Sequence, residues 1–494
     1  MKQGIRLNQL VLTSLIGRGG MGEVWEGLHV KQGTSVAVKI IHKTLFQKED
    51  YRALFASEVQ AIAKLYHPGV VTLFDNGEIP KEVEEASEGH FVTGSPYLVM
   101  ELARGLSLKQ QAPISDFKSF KRLLLVLLDA LAHAHARGII HRDIKPSNIL
   151  YAEKPFSFKL TDFGIAQLTE GEPHLSSDKL VGTPHYMAPE QIMGHWREQG
   201  PWTDLYAVGC LVSWLLCGKP TFYKQGIKRQ EIFSRQLSSF PPDLQHRFAI
   251  PKDLEKWYRT LLEKEPHKRF QRAADAAAAL QSLDTSPAHL IPPNEQPKKE
   301  RVIRTSPQKP FAFSQRSIRR NASDSHTLEP EEMPTMTLSG PSNHSEKSQG
   351  FFSSISSHQD SDTDSTRPLS RQKENPFQDP FYSGVHFPSV GQKSFDSDLK
   401  SWAKPQTPES WKRPRQARVD LALRGVGLGL FGLRPIPMVG RYEERDTIWK
   451  ALRTVRAEGH PQLVLLHGAS GTGKSRLAEW IVQRAHETGA ANIL

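Results

Sequence analysis

His141-Arg142-Asp143-Ile144-Lys145-Pro146-Ser147-Asn148, followed by Asp162-Phe163-Gly164 and then Ala188-Pro189-Glu190, decides how this 494-residue chain is read. Each residue type brings one piece of chemistry. Asp143 can orient a hydroxyl nucleophile and accept its proton. Lys145, two residues on, can neutralise a migrating anionic group. Asn148 and Asp162 are oxygen donors of the kind that hold magnesium on phosphates. Together these are the parts that transfer of a phosphoryl group requires.

The order and spacing match a known signature set. Residues 10–283 resemble the eukaryotic-like (Hanks-type) serine/threonine protein kinases of bacteria. The resemblance implies an α+β, two-lobed kinase fold, ATP and Mg2+ as cofactors, and protein Ser/Thr hydroxyls as substrates. It makes Asp143 and Lys145 catalytic, and assigns Asn148 and Asp162 to the metal. Lys145 points to serine/threonine rather than tyrosine selectivity.

Working outward toward the N-terminus, residues 11–38 read as a short β-sheet centred on Gly17-Arg18-Gly19-Gly20-Met21-Gly22-Glu23-Val24. Glycines at this spacing let a hairpin fold over phosphates with its N–H groups facing them. A lone GxGxxG also fits a dinucleotide fingerprint. Here a strand, Val36-Ala37-Val38-Lys39, comes next, where a dinucleotide fold would begin a helix. By resemblance, Lys39 grips the nucleotide phosphates and pairs with Glu58, on a helix over 51–65. Residues 17–22, Val24, Ala37 and Leu150 would surround the nucleotide. Met100 would be the gatekeeper, and the backbone of Glu101 and Ala103 would meet the adenine edge. Residues 78–95 read as an acidic, exposed insertion without a catalytic role.

Downstream of the deciding stretch, an apolar helix over 123–136 carries His133 and His135. Two residues apart, they face different sides, which argues against a joint metal site. The loop after Asp162 holds Thr169, Ser176, Ser177 and Thr183, with Arg142 available to pair a phosphate there. Ser176 and Ser177 are its preferred phosphorylation sites. The resemblance gives Asp204 the task of bracing the catalytic-loop backbone, and pairs Arg269 with Glu190. An Ala-rich helix over 273–283 closes the lobe.

Composition narrows the setting. Cys210 and Cys217, seven apart on a helix, have Cα atoms ~10 Å apart, beyond the ~7 Å reach of a disulfide. They read as core residues of a reduced, cytoplasmic protein. No apolar run reaches the ~18–20 residues of a membrane helix, and residues 421–433 are short and contain Arg424. The net charge of +11 is dispersed, without the concentrated stripe of a nucleic-acid binder. The expected partners are protein substrates and a second copy for autophosphorylation, with no nucleic acid and no membrane span.

Beyond residue 285 the composition changes. Residues 286–418 are rich in Ser, Pro, Thr, Gln and Asn and read as a disordered linker. It contains Ser306-Pro307, Thr407-Pro408 and the Phe-containing run 376–381. Residues 419–494 carry a helix over 443–456, a buried strand at 463–467, and Gly468-Ala469-Ser470-Gly471-Thr472-Gly473-Lys474-Ser475. This last run is a complete Walker A motif that leads into a helix. Gly468, Gly473, Lys474 and Ser475 would hold phosphates and magnesium. The stretch resembles the start of an AAA/STAND-type ATPase module, an incomplete α/β P-loop unit. No Walker B strand follows, which points to a fragment of a longer polypeptide or a naturally shortened product. Two rival readings are a kinase-like regulatory scaffold and the kinase portion of a larger NTP-driven signalling ATPase.

Overall fold

A computed structural model describes residues 4–20, 22–43, 49–111, 113–152, 157–163, 184–293, 401–413 and 438–492. The N-terminal lobe is a six-stranded antiparallel sheet in the order β1-β2-β3-β4-β6-β5. Its strands are β1 (Ile5–Leu7), β2 (Leu10–Gly19), β3 (Gly22–His29), β4 (Thr34–Ile41), β5 (Leu73–Glu78) and β6 (Pro96–Glu101). Strand periodicity sorts β4 by face. Val36, Val38 and Ile40 join a cluster with Trp25, Phe74, Tyr97 and Val99. Ala37 and Lys39 alternate with them and take the opposite face. Helix α1 (Glu49–Ala63) carries buried Phe55 and Val59 and packs near β5.

The insertion expected to be exposed is part of this lobe. It forms α2 (Lys81–Ala86), and Ile79, Val83 and Phe91 complete the cluster on the Trp25 face. Phe91 meets Trp25 edge-on at 5.6 Å between ring centroids. Three apolar residues spread among many glutamates give no periodic signal, yet each fills a place on a sheet face that would otherwise be wet.

The C-terminal lobe is helical. It is built from α3 (Phe117–His135), α4 (Pro189–Ile192), α5 (Pro201–Cys217), α6 (Arg229–Ser238), α7 (Leu254–Leu261) and α8 (Ala273–Gln281), with the hairpin of β7 (Ile149–Ala152) and β8 (Ser157–Leu160) beneath the sheet lobe. The Asp116 carboxylate caps α3 by accepting from the Ser119 N–H at 2.8 Å. Leu123, Leu124, Leu127, Leu128 and Leu131 follow at helical spacing and are all buried. Cys210 and Cys217 both sit on α5 as free thiols. Burial pushes the Cys210 thiol up to about 11, leaving it inert. Arg269 holds Glu190 through both carboxylate oxygens, at 2.8 and 2.9 Å, with both side chains buried.

The first residues assigned to the linker are ordered. β10 (Leu290–Ile291) pairs with β9 (Ile250–Pro251). Residues 401–413 also lie on the folded unit. Trp402 packs at 5.9 Å from Phe270, and the Pro408 carbonyl accepts from Trp449 Nε1 at 2.9 Å. Within 401–413 the Trp411 ring is buried and Trp402 half-buried, and isolated tryptophans of this kind give no local periodicity. Ser306, the run 376–381 and residues 421–433 lie outside the described residues.

The C-terminal helices α9 (Tyr442–Glu458) and α10 (Lys474–Glu487) belong to the same compact unit as the lobes. Buried Glu487 ties α10 to α3. It pairs with Arg137 at 2.6 Å, His133 at 2.9 Å, and Arg413 and Arg484 at 3.0 Å. Burial alone would favour its neutral form, but this ring of donors holds the carboxyl well below its usual range. The expected buried strand at 463–467 is not formed. These residues are extended without strand partners, and Leu463 and Leu465 are 83% and 80% exposed. A parallel strand draws its burial and its backbone partners from flanking strands and crossover helices. Among the described residues from 438 to 492 there is no strand to pair with.

Candidate active site

The catalytic loop begins where α3 ends. Gly138 takes a left-handed φ of 72°, and the Ile139 N–H returns to the Ala134 carbonyl at 3.1 Å, closing the helix. The chain then runs over Asp204, from the first turn of α5. The Asp204 carboxylate accepts from the N–H groups of His141 and Arg142 at 2.8 Å each, and from His135 Nε2 at 2.8 Å. Burial works against its charge, but the His135 hydrogen bond and the adjacent donors keep its carboxyl below the ordinary value. The expected brace is therefore present. Gln191 adds a second, donating through Nε2 to the Arg142 carbonyl at 2.9 Å. Arg142 itself has φ 65°, strained for a non-glycine residue, and these bonds hold it there.

His141 is fully buried and joins two parts of the site. Its Nε2 meets the Thr161 carbonyl at 2.8 Å, so this nitrogen carries the proton. Its Nδ1 therefore accepts from the Asp143 N–H at 3.2 Å. Its ring lies 4.5 Å from that of Phe163. One imidazole thus fixes Asp143 relative to Asp162.

Around Asp143 the expected residues converge. Lys145 Nζ is 2.6 Å from Asp143 Oδ2. Asn148 Nδ2 donates to the Asp143 carbonyl at 2.8 Å and to its Oδ2 at 3.1 Å. A nucleophile-orienting carboxylate, a cation and an amide oxygen therefore sit within one turn of chain.

Lys39 reaches across from β4. Its ammonium is buried and lies 2.6 Å from Asp162 Oδ1. Glu58, its expected partner, is buried on α1, and here the ammonium sits on Asp162. Desolvation opposes the Asp162 charge, and the Lys39 ammonium beside it offsets that cost and holds the carboxyl below its usual value. Asp162 also has a left-handed φ of 62°.

The glycine loop is the tip of the β2–β3 hairpin, with Gly17 opposite Val24, Arg18 opposite Glu23 and Gly19 opposite Gly22. Glycine is required at position 22, where a Cβ would come within 2.0 Å of the Ile40 carbonyl oxygen. Met21 lies outside the described residues. Ala37 on β4 faces Met100 on β6, and Leu150 on β7 bridges to Ser107. Glu101 has a structural duty that the sequence reading missed. Its carboxylate pairs with Lys159 at 2.9 Å and accepts from the Thr72 N–H at 3.2 Å, while its own N–H donates to the Thr72 carbonyl at 2.8 Å. Ala103 follows in the segment that joins the lobes.

The remaining expectations separate cleanly. His133 and His135 have different partners, Glu487 and Asp204, and share no site. Among the described residues no cluster of three His, Cys, Asp or Glu side chains is arranged to hold a metal. Thr169, Ser176, Ser177 and Thr183 lie outside the described residues. At the Walker A run, Gly471 and Gly473 take φ 80° and 86° ahead of α10, as a phosphate loop requires. Lys474 Nζ, however, donates to the loop's own carbonyls at Gly468 and Ala469, at 2.8 Å each. Gly473 and Lys474 open α10, and Ser475 lies in its first turn.

A two-lobed fold with these groups in its cleft defines a protein kinase domain. A family model described as "Protein kinase domain" matches residues 10–282, more than half of the sequence, and the chain belongs to that family. It is 36% identical over 285 residues to serine/threonine-protein kinase Pkn1 of Myxococcus xanthus, a match covering 56% of this chain and 38% of that protein. It is 34% identical over 281 residues to serine/threonine-protein kinase PknA of Mycobacterium tuberculosis, covering 55% and 61% respectively. The matches thus span less than two thirds of these relatives. The crystal structure of the Mycobacterium tuberculosis PknI kinase domain aligns with 21% identity and a TM-score of 0.42, covering 57% of this chain and 98% of that one. Among the described residues no helix is long and apolar enough to cross a membrane.

Proposed function

We propose that the chain is an ATP- and magnesium-dependent serine/threonine protein kinase of bacterial signal transduction, acting on Ser/Thr hydroxyls of proteins. The observation that carries this reading is the Asp143–Lys145–Asn148 constellation facing the Lys39–Asp162 pair. Both relatives reported above bear the name serine/threonine-protein kinase. The kinase occupies residues 1–285. Residues 286–418 connect it to residues 419–494, which carry the P-loop motif. Unpaired Cys210 and Cys217 support a cytoplasmic setting. The partners are protein substrates and, for autophosphorylation, a second copy of the chain.

The donor set suits the cofactors. Asn148 and Asp162 offer the oxygen ligands that magnesium prefers, and Gly22 removes the side chain that would otherwise collide at the root of the phosphate hairpin. When bound, ATP–Mg2+ supplies an activated phosphoryl group whose charge the metal spreads. Asp143 orients the substrate hydroxyl and accepts its proton. Lys145, 2.6 Å away, stabilises negative charge at the same point. Lys39 holds Asp162 and is within reach of phosphate oxygens. Met100, Ala37, Val24 and Leu150 line the base site, and the backbone of Glu101 and Ala103 meets its edge. Glu58, buried on α1, would pair with Lys39 if Asp162 served as a ligand to magnesium.

Transfer of labelled phosphate from ATP to a generic protein substrate tests the proposal, with the full chain and Asp143→Asn side by side. Transfer by the wild type that vanishes in the variant supports it. Equal transfer by both, or none by either, refutes it.

A further inference from the structure

The insertion between β5 and β6 reaches the glycine loop. His90, just beyond α2, places Nε2 at 2.9 Å from Glu23 Oε2. Glu23 is the second residue of β3, paired in register with Arg18, one step from the Gly19–Gly22 pair that closes the hairpin. It is a buried carboxylate, 8% exposed. Three donors from three places serve it: Arg18 Nε at 2.9 Å on Oε1, and Trp25 Nε1 at 3.0 Å with His90 on Oε2. The aromatic rings close the arrangement, with His90 4.8 Å from Phe91 and 6.3 Å from Trp25, both edge-on. Phe91 is itself anchored in the sheet cluster with Ile79 and Val83.

We infer that His90 is a positioning residue for ATP binding, through which the insertion pins the base of the glycine loop. The inference rests on the kinase reading above. A phosphate-covering hairpin needs mobility at its tip and fixed geometry at its root, because misplaced donors lose most of their value to the phosphates. Gly19, Gly20 and Gly22 supply the first. Glu23 supplies the second, since its position sets that of Arg18 across the ladder. Among the described residues, His90 is the donor to this carboxylate that comes from outside the hairpin, so it references the loop to the lobe. A carboxylate only accepts, so His90 donates through Nε2, and that donor is what a substitution must remove or keep.

Two variants of the full chain separate positioning from packing. His90→Phe keeps a ring against Trp25 and Phe91 but has no donor. His90→Gln keeps a donor of similar reach. Steady-state transfer to a saturating protein substrate gives KM for ATP and kcat, and ADP–Mg2+ binding is measured separately by calorimetry. The expected result is a KM for ATP and a Kd for ADP raised about three- to tenfold in His90→Phe, the net effect of losing one ordinary hydrogen bond. The accompanying kcat stays within about twofold, and His90→Gln restores most of the affinity. An unchanged KM and Kd in a His90→Phe chain that melts like wild type overturns the inference. So does an equal fall in kcat and affinity that His90→Gln fails to rescue. A wild-type chain that binds no ADP defeats the kinase reading itself, and this is told apart because it appears before any variant is made.

Discussion

The chain holds two glycine loops of the kind that cradle phosphates, and the structure treats them differently. The loop over Gly17–Gly22 is a hairpin between strands that are paired on both sides, and its lysine, Lys39, lies across the cleft on the Asp162 carboxylate. The loop over 468–475 follows an exposed, unpaired segment, and its lysine folds onto its own loop carbonyls. The sequence signals are comparably strong. What separates them is surroundings, because a phosphate site needs a wall that holds the loop open and a second group across the gap. The first loop has the other lobe as its wall, with Asp162 and Asn148 on it. The second has no strand beside it among the described residues.

The sharpest way to break this contrast is at Asp143. Asp143→Asn should lower phosphotransfer by about 10²- to 10⁴-fold, the range for a lost acid–base group, with the thermal melting point unchanged. A retained rate would remove the distinction between the two loops. Next in size is Arg269→Ala. It strands the Glu190 carboxylate, and unfolding in urea should show a loss of about 3–5 kcal/mol.

The contact of α10 with α3 should respond to Glu487→Ala and to acid. Either should raise hydrogen exchange in Lys474–Glu487, measured on the full chain. His133 Nε2 accepts from the Tyr66 N–H at 3.3 Å while its Nδ1 meets Glu487, so the folded site requires a neutral ring. Burial pushes this histidine down to about 3 from its ordinary value of 6.5. Its contribution is therefore complete above about pH 6.5 and is lost as the pH falls toward 3, because the unfolded form takes up the proton first. Glu487 acts in the same direction at lower pH. Its depressed carboxyl contributes above the usual carboxylate range and loses that contribution as acid protonates it. Exchange in α10 that stays constant between pH 7 and pH 5 would contradict this picture. Lys474→Ala completes the comparison with the smallest effect. Kinase activity should stay within about twofold of wild type, as expected for a surface change away from the cleft. A large defect would mean that the two loops act together.

The kinase lobe was legible because its chemistry lies in short runs. His141 to Asn148 sit within one turn of chain, and Glu190 and Arg269 follow at family spacing. The spacing could not give the conformation. Lys39 has two acidic neighbours in prospect, Glu58 and Asp162, and spacing alone does not say which of them its ammonium meets at 2.6 Å. Gln191 and His135 were missed as supports of the catalytic loop. Each acts through one hydrogen bond to groups distant in sequence, and isolated Gln and His residues carry no pattern. The insertion over 78–95 was misread for a related reason. Acidic composition dominated Ile79, Val83 and Phe91, although those three residues decide where it packs. The strand expected at 463–467 shows the opposite error, in which a strong local β pattern lacks the neighbours a strand requires.

The Arg269–Glu190 pair has one more consequence, which follows from counting donors. A guanidinium has five N–H groups. Here Nε donates to the Glu263 carbonyl, Nη1 to Glu190 and the Trp202 carbonyl, and Nη2 to Glu190 and the Lys264 carbonyl. Five donors meet five acceptors, and the side chain is fully buried. Lysine has three donors on a single nitrogen, so Arg269→Lys would keep the charge and still give up at least two of these five hydrogen bonds. At this position the shape of the cation, rather than its charge, ties the segments at 190, 202 and 263–264 into one lobe.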